Sequence, residues 1–122
     1  MVDIKLGMVE ARFADIIWAH APLTTRELTV LCEAELSWKR TTTYTVLKKL
    51  CERGVFRTEN SIIAALISRE EFYAMQSEQF VQEKFGGSLP AFLAAFVARK
   101  APTREELEEI RRMMAAFEEE NR

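Results

Sequence analysis

The chain has 122 residues, of which 48% are hydrophobic and 30% are charged, so it can bury a core and is not an intrinsically disordered protein. Its formal net charge is −2, which excludes a protein that coats nucleic acid through an overall positive charge. Only four glycines and three prolines interrupt the chain, which favours long helices over a strand-rich fold.

No apolar run reaches the ~18 residues that a membrane span needs, and the N-terminal segment does not resemble a signal peptide. We therefore expect a cytoplasmic protein with reduced thiols. Its two cysteines, Cys32 and Cys51, lie among apolar residues and outside any Cys-x-x-Cys or Cys/His cluster. We expect buried free thiols, and we predict no metal site and no cofactor.

Apolar residues at helical spacing predict six helices, and capping boxes mark three of their starts. The boxes are Thr24-x-x-Glu27, Ser68-x-x-Glu71 and Thr103-x-x-Glu106. In chain order, the helices are predicted over residues 6–20, from the Thr24 cap to about Leu36, and over residues 39–53, 68–85, 89–99 and 103–120. Pro22 ends the first helix, Gly54 is the predicted C-cap of the third, and Gly86-Gly87 end the fourth.

A β-hairpin is predicted between the third and fourth helices. Two segments rich in β-favouring residues, 55–56 and 62–67, flank a predicted turn at residues 59–61. Three helices followed by a two-stranded wing form a winged helix-turn-helix, in which the third helix enters the major groove of DNA. We therefore predict a mostly α protein with a winged helix-turn-helix DNA-binding domain over residues 1–68, followed by C-terminal dimerisation helices over residues 69–122.

The predicted third helix has two different faces. One face packs on the first two helices through Thr43, Val46, Leu47 and Leu50. The other carries hydroxyl groups, which can bond to bases or phosphates, and lysines, which can bind phosphates. The segment from Lys39 to Arg57 holds six bases against one acid, so the positive charge is local. The predicted DNA-binding residues are Lys39, Arg40, Thr41, Thr42, Tyr44, Thr45, Lys48, Lys49 and Arg57.

A simpler interpretation of these residues does not involve DNA. A basic stretch on a helix and hairpin is often only a solvated face, and threonines can be tolerated there by chance. The order of the helices and the wing favours DNA binding over this alternative.

The chain resembles the penicillinase-repressor family of bacterial transcription regulators over residues 6–118. The matching features are Glu10 followed by Trp18, PLTTREL at 22–28, TTTYTVLKKL at 41–50, ERGVF at 52–56, SREE at 68–71, and an apolar helix at 89–97 before TREELEEIRRMM. The resemblance implies a homodimer that binds a dyad operator in double-stranded DNA, with one winged helix on each half.

The resemblance also implies that the C-terminal helices join the two subunits. The residues expected at this interface are Leu89, Phe92, Leu93, Phe96, Val97, Leu107, Ile110, Met114 and Phe117. Their apolar character at helical spacing suits a partner helix. The alternative is that the seam on the last helix packs only within its own subunit.

The chain departs from the family at three places. Penicillinase-type members are cut at an Asn-Phe bond through a membrane sensor-protease system, whereas the aligned candidate bond here is Ala95–Phe96. Copper-type members carry a C-terminal cluster of Cys-x-Cys pairs, but this chain has no cysteine after Cys51, which excludes copper sensing by that cluster. The wing lacks the family's glycine and Tyr-x-Tyr pair, and Arg57 is its only base. We therefore expect the third helix to dominate DNA binding.

The leading hypothesis is a dimeric, operator-binding repressor that an unidentified signal releases, with proteolysis of the dimerisation region as one route. The alternative is a winged-helix protein-interaction module that has lost sequence-specific DNA binding, which the weak wing and the acidic net charge support. We do not expect an enzyme or a small-molecule substrate. The only histidine, His20, ends a helix without an obvious acid or nucleophile partner, and there is no phosphate-binding glycine loop.

Overall fold

A computed structural model describes residues 2–122 of the chain. Over this range it contains six helices and one antiparallel sheet of three strands. Two compact units are present, Met1–Gln79 and Phe80–Arg122, and the boundary between them falls within the fourth helix. The predicted winged helix-turn-helix followed by C-terminal helices is confirmed. The elements in chain order are α1 (Met8–His20), β1 (Leu23–Thr24), α2 (Thr25–Leu36), α3 (Arg40–Glu52), β2 (Phe56–Glu59), β3 (Ile62–Ala65), α4 (Arg69–Phe85), α5 (Leu89–Arg99) and α6 (Arg104–Glu120).

The core of the first unit is built from one face of each helix and the inner face of the sheet. Its largest fully buried apolar side chains are Phe13, Phe56, Phe72, Ile17, Leu28, Leu50, Ile63 and Val55. Burial of an aliphatic or aromatic side chain of this size contributes about 1.5–3 kcal/mol relative to leaving it in water. The apolar faces that the sequence predicts on α1, α2 and α3 therefore hold these helices together.

Trp18 joins the end of α1 to the sheet and to α4. Its indole N–H donates to the carbonyl oxygen of Ile67 at 3.1 Å, and its ring centroid lies 5.4 Å from those of Phe56 and Phe72. The polar edge of the ring is thus hydrogen-bonded while its faces pack on other rings, which is how a large indole is accommodated inside a domain.

The sheet has one strand more than the sequence predicts. Its order is β1-β3-β2, and Ile63 in the middle strand pairs with Leu23 on one side and Thr58 on the other. The two-residue strand β1 was not predicted, because its Thr24 is also the N-cap of α2 and only the cap has a sequence signal. The turn is shorter than predicted, because Glu59 belongs to β2 and pairs with Ile62. Asn60 and Ser61 form it at positive φ angles of 53° and 63°, as a tight hairpin turn requires.

The capping boxes are confirmed at α2 and α6, and Ser68 caps the start of α4. In each case the backbone N–H three residues on donates to the capping oxygen, at 3.0 Å for Thr24, 3.0 Å for Ser68 and 3.1 Å for Thr103. Two predicted bounds shift. The first helix starts at Met8 rather than at residue 6, and Arg53 rather than Gly54 is the C-cap of α3. Gly54 follows that cap with a φ of 81°, a left-handed conformation that glycine adopts without strain.

The second unit consists of the end of α4 together with α5 and α6. Phe92 of α5 lies with its ring centroid 6.1 Å from that of Phe80 and 5.6 Å from that of Phe85. No residue of α5 or α6, both fully described by the structure, is buried. Over residues 2–122, no helix is both long enough and apolar enough to cross a membrane.

Candidate nucleic-acid interface

The two faces of α3 are separated as the sequence predicts. Thr43, Leu47 and Leu50 are buried, and Val46 is partly buried against the same core. The predicted contact residues on and next to this helix are all exposed: Lys39, Arg40, Thr41, Thr42, Tyr44, Thr45, Lys48 and Lys49. The core therefore fixes the helix and leaves its hydroxyl-bearing and basic residues open to a large ligand.

The threonines of α3 differ in the hydrogen bonds that their hydroxyl groups make within the protein. The Thr45 hydroxyl donates to the carbonyl oxygen of Thr41 at 2.9 Å, so its proton is engaged and its lone pairs remain free to accept from a base. The buried Thr43 hydroxyl donates to the carbonyl oxygen of Lys39 at 3.4 Å. The hydroxyls of Thr41 and Thr42 make no hydrogen bond to other side chains or backbone within residues 2–122, so both can donate and accept.

One base of the local positive stretch is not available at this surface. Arg53 donates from Nη1 to the carbonyl oxygen of Lys5 at 2.7 Å and lies 3.5 Å from Glu10 and 3.8 Å from Asp3. Its own carbonyl oxygen accepts the backbone N–H of Asp3 at 3.0 Å. Arg53 thus holds the N-terminal segment on the end of α3, a role that no local sequence signal indicates.

The base of the wing, Arg57, is exposed but lies beside a carboxylate. Its Nε atom is 3.8 Å from Oε2 of Glu59, two residues further along β2. Residues two apart on a strand share a face. The Arg57–Glu59 ion pair could therefore have been predicted from the sequence, but it was not. Between them, Thr58 has its Oγ1 atom 3.5 Å from Sγ of Cys51, which places β2 beside the last turn of α3.

The two cysteines and the only histidine make contacts within the fold. Cys32 is buried and Cys51 partly buried, and both thiols are free. Burial raises the pKa of the Cys32 thiol. Nδ1 of His20 lies 2.9 Å from the carbonyl oxygen of Ile16, one turn earlier in α1.

The residues predicted at a dimer interface form an apolar surface on α5 and α6. Phe92 is half-buried and the others are exposed: Leu89, Leu93, Phe96, Val97, Leu107, Ile110, Met114 and Phe117. Most of them, from Phe92 to Ile110, line a groove of about 360 Å³ between the two helices. The candidate cleavage bond Ala95–Phe96 lies in the middle of α5.

A family model described as penicillinase repressor matches the chain over residues 6–116, which is nearly its whole length. No curated protein matches it. The matched region includes α1 to α5, the sheet, and α6 up to residue 116. The chain therefore belongs to the penicillinase repressor family, a family of winged-helix, DNA-binding transcription regulators.

Proposed function

We propose that the protein is a transcriptional repressor that binds a dyad operator as a homodimer, with α3 of each subunit in the major groove. One observation carries this proposal: α3 is fixed by three buried side chains, while Tyr44, its lysines and three of its threonines are exposed. The exposed threonines are Thr41, Thr42 and Thr45. The N-terminal part of such a helix lies nearest to base edges. We assign Thr41, Thr42 and Thr45 to bases or nearby phosphates, and Lys48, Lys49 and Tyr44 to phosphates.

The remaining contacts are proposed at the two ends of this surface. Lys39, the N-cap of α3, and Arg40, its first residue, are placed to anchor the entry of the helix on the DNA backbone. Arg57 is the one proposed contact outside α3. Because it is a single base on the wing, α3 should supply most of the affinity.

We propose that α5 and α6 join the two subunits and that release acts through them. Eight of the nine expected interface residues are exposed in one subunit, and clusters of exposed apolar side chains mark interaction surfaces. If a membrane sensor-protease system acts on this protein, the Ala95–Phe96 bond must first leave the helix, because a protease needs a locally unfolded substrate. We therefore place the releasing signal at the dimerisation unit.

Binding to a duplex from the upstream region of its own gene tests the proposal. We expect the full chain to bind this duplex with a steep salt dependence. Lys49→Gln should weaken binding to every sequence and reduce the slope of log K against log salt by about 0.9 for each phosphate that is no longer neutralised. Thr42→Ala should instead change the preferred bases at one position of each half-site.

Lys84→Gln on α4 is the matched control for Lys49→Gln, since it removes the same charge from an exposed helix in the second unit. It should leave DNA binding unchanged. If the wild-type chain binds no fragment of its upstream region at low salt, the repressor proposal is wrong. The Arg57–Glu59 pair, which leaves the wing without net charge, would then favour a protein-interaction module on the same scaffold.

A further inference from the structure

The outer face of the wing carries one base and one acid, and these are neighbours. Arg57 and Glu59 alternate with Thr58 on β2, so both side chains lie on the same face of the strand. Their closest charged atoms are 3.8 Å apart, and both side chains are more than half exposed. The base is thus within reach of a carboxylate at the surface where a wing meets DNA.

The strand neighbours of this pair carry no charge. Arg57 pairs across the sheet with Ala64 and Glu59 pairs with Ile62, which has Thr24 of β1 on its other side. All three of these neighbours are uncharged. Over the strands that the structure describes, the outer face of the wing therefore has no net formal charge.

The wing is fixed beside α3, so its charge can affect how a duplex binds to α3. The contact between Thr58 and Cys51 joins β2 to the last turn of α3. At the other end of the hairpin, the backbone N–H of Thr25 donates to the carbonyl oxygen of Ser61 at 2.9 Å and ties the turn to the start of α2. A duplex that holds α3 in its major groove passes its phosphates close to the wing, where a carboxylate repels them.

We propose, on the basis of the DNA binding proposed above, that Glu59 limits the sequence-independent part of the DNA affinity by engaging Arg57 and repelling the phosphate backbone. Phosphate contacts are the part of binding that does not depend on sequence. Because Arg57 is paired with Glu59, the wing adds little to the sequence-independent part of the DNA affinity. Recognition of the operator is then left to α3.

The substitution Glu59→Gln tests this inference, since it removes the charge and keeps the shape. Fluorescence anisotropy should follow the full chain with its upstream duplex and with an unrelated duplex of equal length, over a range of salt concentrations. We expect Glu59→Gln to lower Kd about two- to fivefold for both duplexes, the size of effect expected when an exposed ion pair is released. The salt dependence should steepen by about 0.9 per subunit as Arg57 gains a phosphate.

Two controls separate this effect from a general change in charge or folding. Glu78→Gln in α4 makes the same charge change at an exposed residue outside the proposed DNA and dimer surfaces, and it should leave Kd unchanged. Glu59→Thr also removes the carboxylate, and threonine favours strands. If both variants bind more tightly, the cause is the lost charge and not a change in the wing that is peculiar to one substitution. Thermal unfolding of each variant checks that the fold is retained.

A double-mutant cycle shows whether Glu59 acts through Arg57. Arg57→Gln alone should weaken binding to both duplexes modestly. Glu59→Gln should tighten binding less in the Arg57→Gln background than in the wild type, because only the repulsion by Glu59 is then relieved. The inference is wrong if Glu59→Gln does not tighten binding, or if its gain is as large without Arg57 as with it. Failure of the wild-type chain to bind either duplex instead overturns the proposed function.

Discussion

Arg53 lies in the basic stretch that suggests DNA binding, but its contacts belong to the fold. Its guanidinium binds the carbonyl oxygen of Lys5 and lies near the carboxylates of Asp3 and Glu10. These partners are 43 to 50 positions away in the sequence, so no local pattern could reveal them. By contrast, the exposure of Thr41 and Lys49 on the outer face of α3 followed directly from helical periodicity.

We predict that Arg53→Gln lowers the free energy of unfolding by about 1–2 kcal/mol, since it removes hydrogen bonds from a charged and largely shielded group. Binding to DNA at 25 °C should be unchanged, including its salt dependence, because the guanidinium faces the N-terminal segment. Urea denaturation followed by circular dichroism measures the first effect, and anisotropy measures the second.

Lys48→Gln is the matched control for this prediction, because Lys48 is an exposed base one turn earlier on α3. It should show the opposite pattern, with unchanged stability and weaker binding. If Arg53→Gln instead flattens the salt dependence without a loss of stability, Arg53 contacts phosphate and its structural role is wrong.

Among the elements, those with many periodic residues were predicted well and the shortest one was not. Helices of 11 to 17 residues show their apolar period several times over, so α2 to α6 were placed within a residue or two. Strand β1 has only two residues, which is too short for alternation to be visible. It forms because β3 offers an edge beside Leu23 and Thr24, a feature of the assembled domain and not of the local sequence.

The start of α6 gives a prediction about pH. The carboxylate of Glu106 accepts the backbone N–H of Thr103 at 2.9 Å, and the pKa of Glu106 is lowered by this bond and by the Thr103 hydroxyl. A carboxyl group whose pKa is lower in the folded state stabilises that state above its unfolded pKa, and this contribution is lost as the pH falls through the folded value. We therefore expect the first turn of α6 to fray as the pH falls below the ordinary pKa of a glutamate.

An NMR titration of Glu106 in the full chain checks this. In Thr103→Ala the pKa of Glu106 should rise towards its ordinary value, and loss of the N-cap should destabilise α6 by about 1 kcal/mol. Thr45→Ala serves as the control, because Thr45 lies in the other unit and caps no helix. An unchanged Glu106 pKa in Thr103→Ala would show that the Thr103 hydroxyl does not contribute to the lowered pKa.

On the scale of the whole molecule, the second unit leaves an apolar surface open to solvent. Of the residues described in α5 and α6, none is buried, yet Phe96 and Phe117 present large apolar surfaces with 53% and 61% exposure. The sequence predicted which residues form this surface, because the seam repeats at helical spacing. It could not predict the groove between α5 and α6, which depends on how the two helices pack against each other.

We predict that Phe96→Glu converts the proposed dimer into a monomer, because it places a charge at the centre of the proposed interface, where it must be buried without a partner. Sedimentation velocity should show half the wild-type mass at micromolar concentration. Met8→Glu, which changes an even more exposed residue of the first unit, should leave the mass unchanged and so control for the added charge. A Phe96→Glu protein that still sediments as a dimer would rule out α5 as the interface.

The Phe96→Glu variant also separates the binding of one half-site by α3 from the formation of the dimer. A dimer binds two half-sites through one linked event, so loss of the dimer should weaken operator binding by about 10²- to 10⁴-fold. Binding to a single half-site depends on α3 alone and should change little. Because the two recognition helices of a dimer must be spaced by about one helical turn of DNA or a multiple of it, inserting five base pairs between the half-sites should weaken the wild-type protein but not the monomer. If both proteins respond equally to the insertion, the subunits bind DNA independently.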